Sequence, residues 1–176
     1  MAIFYFIRHG QIDHSLENEK IYQGRGFDLL PLSELGRQQI KAATQNNRLK
    51  EAELILSSPF GRTLHSAAIL SKELGLDIQV ETDLHEWSAD AANRSYLPQE
   101  EAERRYQELT DNHGHHPDGQ TPAWESSEQM KARVFTVLEK YKDHRCVIVA
   151  CHGTLMQYIL DIPHPENGQI VKLEYG

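Results

Sequence analysis

An α/β sandwich with a mostly parallel sheet is predicted by three observations. Short apolar runs recur along the chain, segments of helical periodicity lie between them, and cap signals punctuate the helical segments. The strand candidates are Ile3–Ile7, Glu53–Ser57, Ile78–Glu81 and Cys146–Cys151, with a terminal strand at Ile170–Tyr175. The expected architecture has three layers, a central sheet flanked by helices.

The helices follow from their ends. Ser33 can cap a helix running to about Arg48. Ser58 followed by Pro59 suits the N-cap and first helical position of a helix reaching Leu74, and Gly75 stops it. Ser126 or Ser127 can cap "EQMKARVFTVLEKY", in which Met130, Val134, Leu138 and Tyr141 share one face. Thr154–Leu160 reads as a further short helix. Leu84–Glu125 breaks the rhythm with a helical "PQEEAERRYQEL" and a polar "TDNHGHHPDGQTPAW". Residues 84–125 therefore read as a helical and loop insertion over the C-terminal edge of the strands, within a single domain spanning 1–176.

At 176 residues the chain is long enough to bury a core, and 39% hydrophobic with 25% charged residues is an ordinary globular composition. A net charge of -8 argues against non-specific binding to nucleic acid or an anionic membrane. No apolar run is as long as a membrane span, and residues 2–7 are too short for a signal peptide's apolar core. The two cysteines, Cys146 and Cys151, would lie roughly 17 Å apart on one strand, beyond disulfide reach. They read as buried thiols in a reducing compartment, and a cytoplasmic location is expected.

In open α/β sheets, ligands gather at the carboxyl ends of the strands. Four pieces of this sequence fall there: Arg8-His9-Gly10, Ser57-Ser58-Pro59 with Arg62, "DLHEW", and His152-Gly153 after "VIVAC". Two arginines, two histidines and a carboxylate at one edge suit phosphoryl chemistry. Guanidinium forks match phosphoryl oxygens, and helix N-termini add backbone donors. A neutral imidazole can attack phosphorus if its other nitrogen is held as a donor, for instance to a backbone carbonyl. A nearby acid must protonate the departing alkoxide. No metal or other cofactor is required if the arginines and the second histidine carry the charge.

These motifs, in this order, resemble the histidine phosphatase superfamily, which includes the cofactor-dependent phosphoglycerate mutases. The resemblance runs from Ala2 to about Leu160 and rests on "RHG", "SSPFGRT", an acidic residue near position 86, and "CHG". It implies that His9 is the nucleophile that becomes phosphohistidine, that Arg8 and Arg62 clamp the phosphoryl oxygens, and that His152 completes the pocket. Glu86 would be the general acid and then the base that activates water. The region "YQGRGFDLLPLSELGRQQ" resembles the loop after the nucleophile, which puts Gln23 and Gly24 at the edge of the site. Gln11, Ser15 and Gly153 are further substrate-binding candidates. The chain departs from the family where Gln11, Ile12 and Ser15 follow the glycine, where "GRGFDLLPL" is one residue longer, and where "WSADAANRSY" replaces a Trp-Glu-Gly pattern.

Competing readings stand beside these. Arg8 and His9 could be a plain strand exit, Arg62 a solvated helix residue, and His152 a satisfied core histidine. Asp83, Asp90 and His85 compete with Glu86 for the acid role. His113, His115 and His116 invite a metal reading, but their Gly/Pro-rich loop suits a mobile polar segment better. Trp87 and Trp124 either line a pocket mouth or pin the insertion.

The insertion carries only Arg94, Arg104 and Arg105 as cations, and the chain ends soon after its last strand, so a closing lid is not expected. The expectation is a phosphoric monoester hydrolase of the histidine acid phosphatase type, metal-independent and acting on a small phosphorylated metabolite, as a monomer or homodimer. The alternatives are mutase-type phosphoryl transfer and a silent member that only binds phosphorylated ligands.

Overall fold

A computed structural model describes residues Met1–Gly176. Five strands form one sheet: β1 (Ala2–Arg8), β2 (Leu54–Ser57), β3 (Ile78–Val80), β4 (Cys146–Cys151) and β5 (Ile170–Tyr175). Their spatial order is β3-β2-β4-β1-β5, parallel throughout except for β5, which runs antiparallel to β1. The predicted α/β sandwich is thus the fold observed. β4 is buried at all six positions because it lies between β1 and β2 and is covered on both faces.

Five α-helices flank the sheet: α1 (Glu34–Ala43), α2 (Gly61–Leu74), α3 (Gln99–Asp111), α4 (Ser127–Lys140) and α5 (Gly153–Leu160). The alternation along β1 separates two cores. Phe4 and Phe6 pack with Met130 and Val134 of α4 and Leu155 of α5. Tyr5 and Ile7 point the other way, toward Ile40 of α1 and Leu70 of α2. Each phenylalanine so buried contributes about 1.5–3 kcal/mol.

The caps explain the helix ends, two of which differ from expectation. Ser33 caps α1 as expected, its side chain accepting from Gly36 N, but the helix ends at Ala43. Asn46 then takes over, its side chain accepting from Arg48 N to start a separate 3₁₀ turn over Asn47–Glu51 that buries Leu49. α2 begins at Gly61, not after Ser58. Phe60 stays extended where the chain crosses Leu29, and a Cβ at Gly61 would lie 2.3 Å from the Leu29 carbonyl oxygen. Gly75 ends α2 at φ 70°. Ser126 caps α4 in a reciprocal box with Gln129, worth about 1 kcal/mol.

Segment 84–125 holds α3 and is tied to the body at its ends. Trp124 is fully buried and donates through Nε1 to Glu108 Oε2 at 3.0 Å. Trp87 donates to the Glu125 carbonyl at 2.8 Å and stands edge-on to Tyr106. Both tryptophans pin the segment and line cavities, Trp87 the one beside Arg62 and Glu86 and Trp124 a smaller one beside Arg104 and Arg105. The polar loop is anchored as well. His116 donates to the Trp124 carbonyl at 2.8 Å, and His115 pairs with Glu128.

Candidate active site

The carboxyl ends of β1, β2 and β4 bring the candidate residues together. His9 leaves β1 with its backbone N–H on Cys151 O of β4, so the first "RHG" and the later "CHG" are laced to each other. Gly10 is required by close packing. A Cβ there would fall 2.2 Å from the Gly36 carbonyl oxygen, which lets α1 abut the strand exit.

His9 is 8% exposed, and its Nδ1 donates to the Gly10 carbonyl at 2.8 Å, leaving Nε2 with a free lone pair. Burial, with a further contribution from the Arg62 guanidinium, pushes its pKa down to about 3. The ring is therefore neutral at physiological pH, as a nucleophile must be.

His152 is completely buried, and its ring centroid lies 5.5 Å from that of His9 in an edge-on arrangement. Its Nε2 shares a hydrogen bond of 2.8 Å with Ser58 Oγ, while Nδ1 has no protein partner. If the Ser58 hydroxyl donates to Nε2, the proton sits on Nδ1, and that nitrogen is a donor without an acceptor. Burial and Arg62 hold this histidine well below its usual range.

Two arginines frame the histidines. Arg62, in the first turn of α2, is 7% exposed, lies 4.8 Å from the Phe60 ring centre and approaches Asp28 Oδ1 at 3.5 Å. Arg8 donates through Nη1 to the Pro165 carbonyl at 2.5 Å, and its Nε is buried with no partner. Unpaired donors on Arg8 and His152, beside a neutral imidazole, describe a pocket built for an anion with several oxygens.

Glu86 faces this pocket from the loop after β3. Its Oε1 accepts from Trp87 N at 2.8 Å and Leu155 N at 2.9 Å, and Oε2 accepts from Thr154 N at 3.2 Å. The carboxylate is thus seated on the N-terminus of α5, directly after His152. Oε2, with one long contact, is the oxygen with a lone pair to spare for a proton. The loop is braced from behind by a buried ion pair, Arg133 with Glu125. Arg133 also donates to the Asp83 and Glu86 carbonyls. Asp90 Oδ1 is turned to the Asn93 amide, 3.2 Å away, and Asp83 meets this network through its backbone oxygen.

A cavity of about 1260 Å³ opens beside Arg62 and Glu86, and Gln23, Gly24 and His85 are on its wall. Gln11 and Ser15 are not. The Gln11 Oε1 accepts from Ser33, tying it to the α1 cap, and the Ser15 hydroxyl donates to Asp13 at 2.5 Å. In their place His14, Tyr22 and Phe27 reach the cavity. Gly153 lies at the α5 start, where a Cβ would fall 3.0 Å from Arg8 Nε.

Sequence reasoning missed four contributors: Ser58 as partner of His152, Asp28 beside Arg62, and His164 and Asn167 of the α5–β5 loop. Asn167 donates to the His9 carbonyl at 2.9 Å. The "PHPENG" stretch offered a signal, since two prolines and a glycine fix a turn, but nothing in one dimension shows that the turn returns to β1.

The chain is similar in sequence or fold to several known proteins. A probable phosphoglycerate mutase GpmB from Escherichia coli O1:K1 / APEC is 30% identical over 174 residues, covering 93% of this chain and 77% of that protein. The corresponding protein of Salmonella arizonae is 29% identical over 170 residues, with 93% and 77% covered. A mycobacterial glucosyl-3-phosphoglycerate phosphatase solved with VO3 superposes at a TM-score of 0.68 and 23% identity, over 99% of this chain and 93% of the other. Bacillus stearothermophilus YhfR gives 0.69 at 19% identity, over 100% and 92%. At such identities the solved structures establish the fold alone. Residues 4–166 match the family model of the histidine phosphatase superfamily, branch 1, and the chain belongs to that family.

Proposed function

We propose that the chain is a metal-independent phosphomonoesterase that acts on a small phosphorylated metabolite through a phosphohistidine on His9. The observation that carries this reading is the His9 ring, buried and neutral, with Nδ1 tied to the Gly10 carbonyl and Nε2 free.

In this reading Arg8, Arg62 and the orphaned Nδ1 of His152 hold the phosphoryl oxygens. His9 Nε2 attacks phosphorus, and the bond to the leaving oxygen breaks as that oxygen takes the proton from Glu86 Oε2. A water then attacks the phosphohistidine, giving a proton to Glu86 while the P–N bond breaks and phosphate departs. The guanidinium groups stabilise charge already present in the ester and growing on the equatorial oxygens. A general acid placed as Glu86 is contributes roughly 10²–10⁴-fold for a poor leaving group.

Hydrolysis is favoured over transfer to a second hydroxyl by the cavity beside the pocket, whose volume of about 1260 Å³ exceeds what a small metabolite fills and admits water. Segment 84–125 acts as a cap along one wall of this cavity. The mutase reading draws on the names of the relatives at 27–30% identity. The two readings part in one assay. Wild type and His9→Ala are incubated in EDTA with a panel of phosphomonoesters that includes both monophosphoglycerates. Phosphate release by wild type alone is the expected result, and isomer exchange outrunning release would favour the mutase. Release by both proteins would remove His9 as nucleophile.

A further inference from the structure

His164 belongs to neither the sequence motifs nor the reaction outlined above, yet the α5–β5 loop delivers it to the same pocket. That loop is fastened to the end of β1 by four bonds. Arg8 Nη1 donates to Pro165 O at 2.5 Å, Asn167 Nδ2 to His9 O at 2.9 Å, Gly168 N to Arg8 O at 2.9 Å, and Arg8 N to Gln169 O at 3.1 Å. Pro163 and Pro165 flank the histidine and restrict its backbone.

The ring lies over Gly153. A Cβ there would sit 2.6 Å from both Cε1 and Nε2 of His164 and 3.0 Å from Arg8 Nε, so the absence of a side chain makes room for this imidazole beside the arginine. His164 Nδ1 donates to Gln157 Oε1 at 3.1 Å, which leaves Nε2 as the free nitrogen. The neighbouring Arg8 Nε is buried without a partner, and so is His152 Nδ1 one residue before Gly153. A third imidazole thus stands at the rim of a pocket whose other polar atoms wait for an anion.

With its proton on Nδ1, neutral His164 presents only a lone pair at Nε2, which a phosphoryl oxygen repels. We propose that His164 is a proton-coupled ligand of the phosphoryl group, taking a proton from solvent onto Nε2 as the anion enters and donating it in a hydrogen bond to an anionic oxygen. This rests on the assignment of the pocket as a phosphoryl site. The groups that act on the ring come from each element around it: Arg8 of β1, His9 just beyond, Glu86 of the loop after β3, and Glu166 of its own loop. Burial and Arg8 lower the ring's pKa below its usual value, against the opposing pull of Glu86 and Glu166. A dianion beside Arg8 offsets that repulsion and favours the imidazolium.

Sulfate is the suitable probe, because it carries no titratable proton across the working range. The His164 Cε1 proton resonance, assigned by its loss in His164→Asn, is followed against pH with and without sulfate. Its midpoint should rise by roughly one to three pH units when sulfate is bound. The His164→Asn protein should bind sulfate roughly tenfold more weakly at pH 6.5, with a flatter pH dependence. His164 is exposed, so the substitution leaves the core untouched. An identical His164 titration with and without sulfate, in a protein that binds sulfate and releases phosphate from esters, would overturn the His164 role alone. No sulfate binding together with no phosphate release would overturn the phosphoryl site and this role with it.

Discussion

Ser58 Oγ lies 2.8 Å from Nε2 of His152, and both side chains are fully buried. The serine closes the end of β2 and the histidine the end of β4, so one hydrogen bond across two parallel strands orients the ring of a pocket residue. Ser58→Ala removes it and leaves a buried ring nitrogen without a partner. The expected loss is about 1–3 kcal/mol in urea unfolding, with phosphate release lowered roughly tenfold or more because His152 loses its orientation. Unchanged stability and rate would mean that the hydroxyl is idle.

Glu86→Gln tests the acid directly. The amide keeps an oxygen to accept from Leu155 N and Trp87 N and gives up only the longer contact from Thr154 N, while the transferable proton is lost. Hydrolysis of alkyl or sugar phosphates should fall by roughly 10²–10⁴-fold, and that of p-nitrophenyl phosphate far less, since its leaving group needs no proton. Equal losses on both substrates would take the acid role from Glu86.

Arg133→Ala should be among the most destabilising single changes. Its side chain and that of Glu125 are 10% and 6% exposed, and breaking such a pair strands a buried carboxylate. A loss of about 3–5 kcal/mol is expected, read as a lower urea midpoint. The Asp83 and Glu86 carbonyls lose a donor at the same time. The fall in activity on alkyl phosphates should therefore exceed that on p-nitrophenyl phosphate even under conditions where the variant is folded.

Acid should destabilise the fold before it protonates folded His9. His9 is held at about 3 and His85 at about 4, both chiefly by burial, against an ordinary value of 6.5. The unfolded chain therefore binds more protons between these values. Stability rises with pH from about 3 to about 6.5 through these two groups and is flat above that. Urea midpoints measured from pH 4 to pH 8 should show this slope, shallower in His85→Asn. A flat profile in the wild type would contradict the buried neutral state.

Much of this was legible in one dimension. The five strands and the main helices follow from apolar runs and caps, because burial in a parallel sheet imposes a strong local pattern. Arg8, His9, Arg62, Glu86 and His152 were legible as a group because each follows a strand or opens a helix. The start of α2 was not, since the chain stays extended at Phe60 and opens the helix only at Gly61, where it passes against Leu29. Gln11 and Ser15 look like site residues by proximity to His9, but α1 and Asp13 claim their side chains. His164 and Asn167 carry no local sign, because their role depends on a loop that folds back across the sheet edge.

That loop also sets an order of assembly. The Pro165 and Asn167 groups that grip Arg8 and His9 lie 157 and 158 positions downstream of them. The strands β3-β2-β4-β1 can pair before β5 arrives, but His9 is fastened only when β5 docks on the outer edge of β1. A sheet with β1 to β4 paired and β5 undocked would keep its parallel core but lack the Pro165 and Asn167 bonds that hold Arg8 and His9.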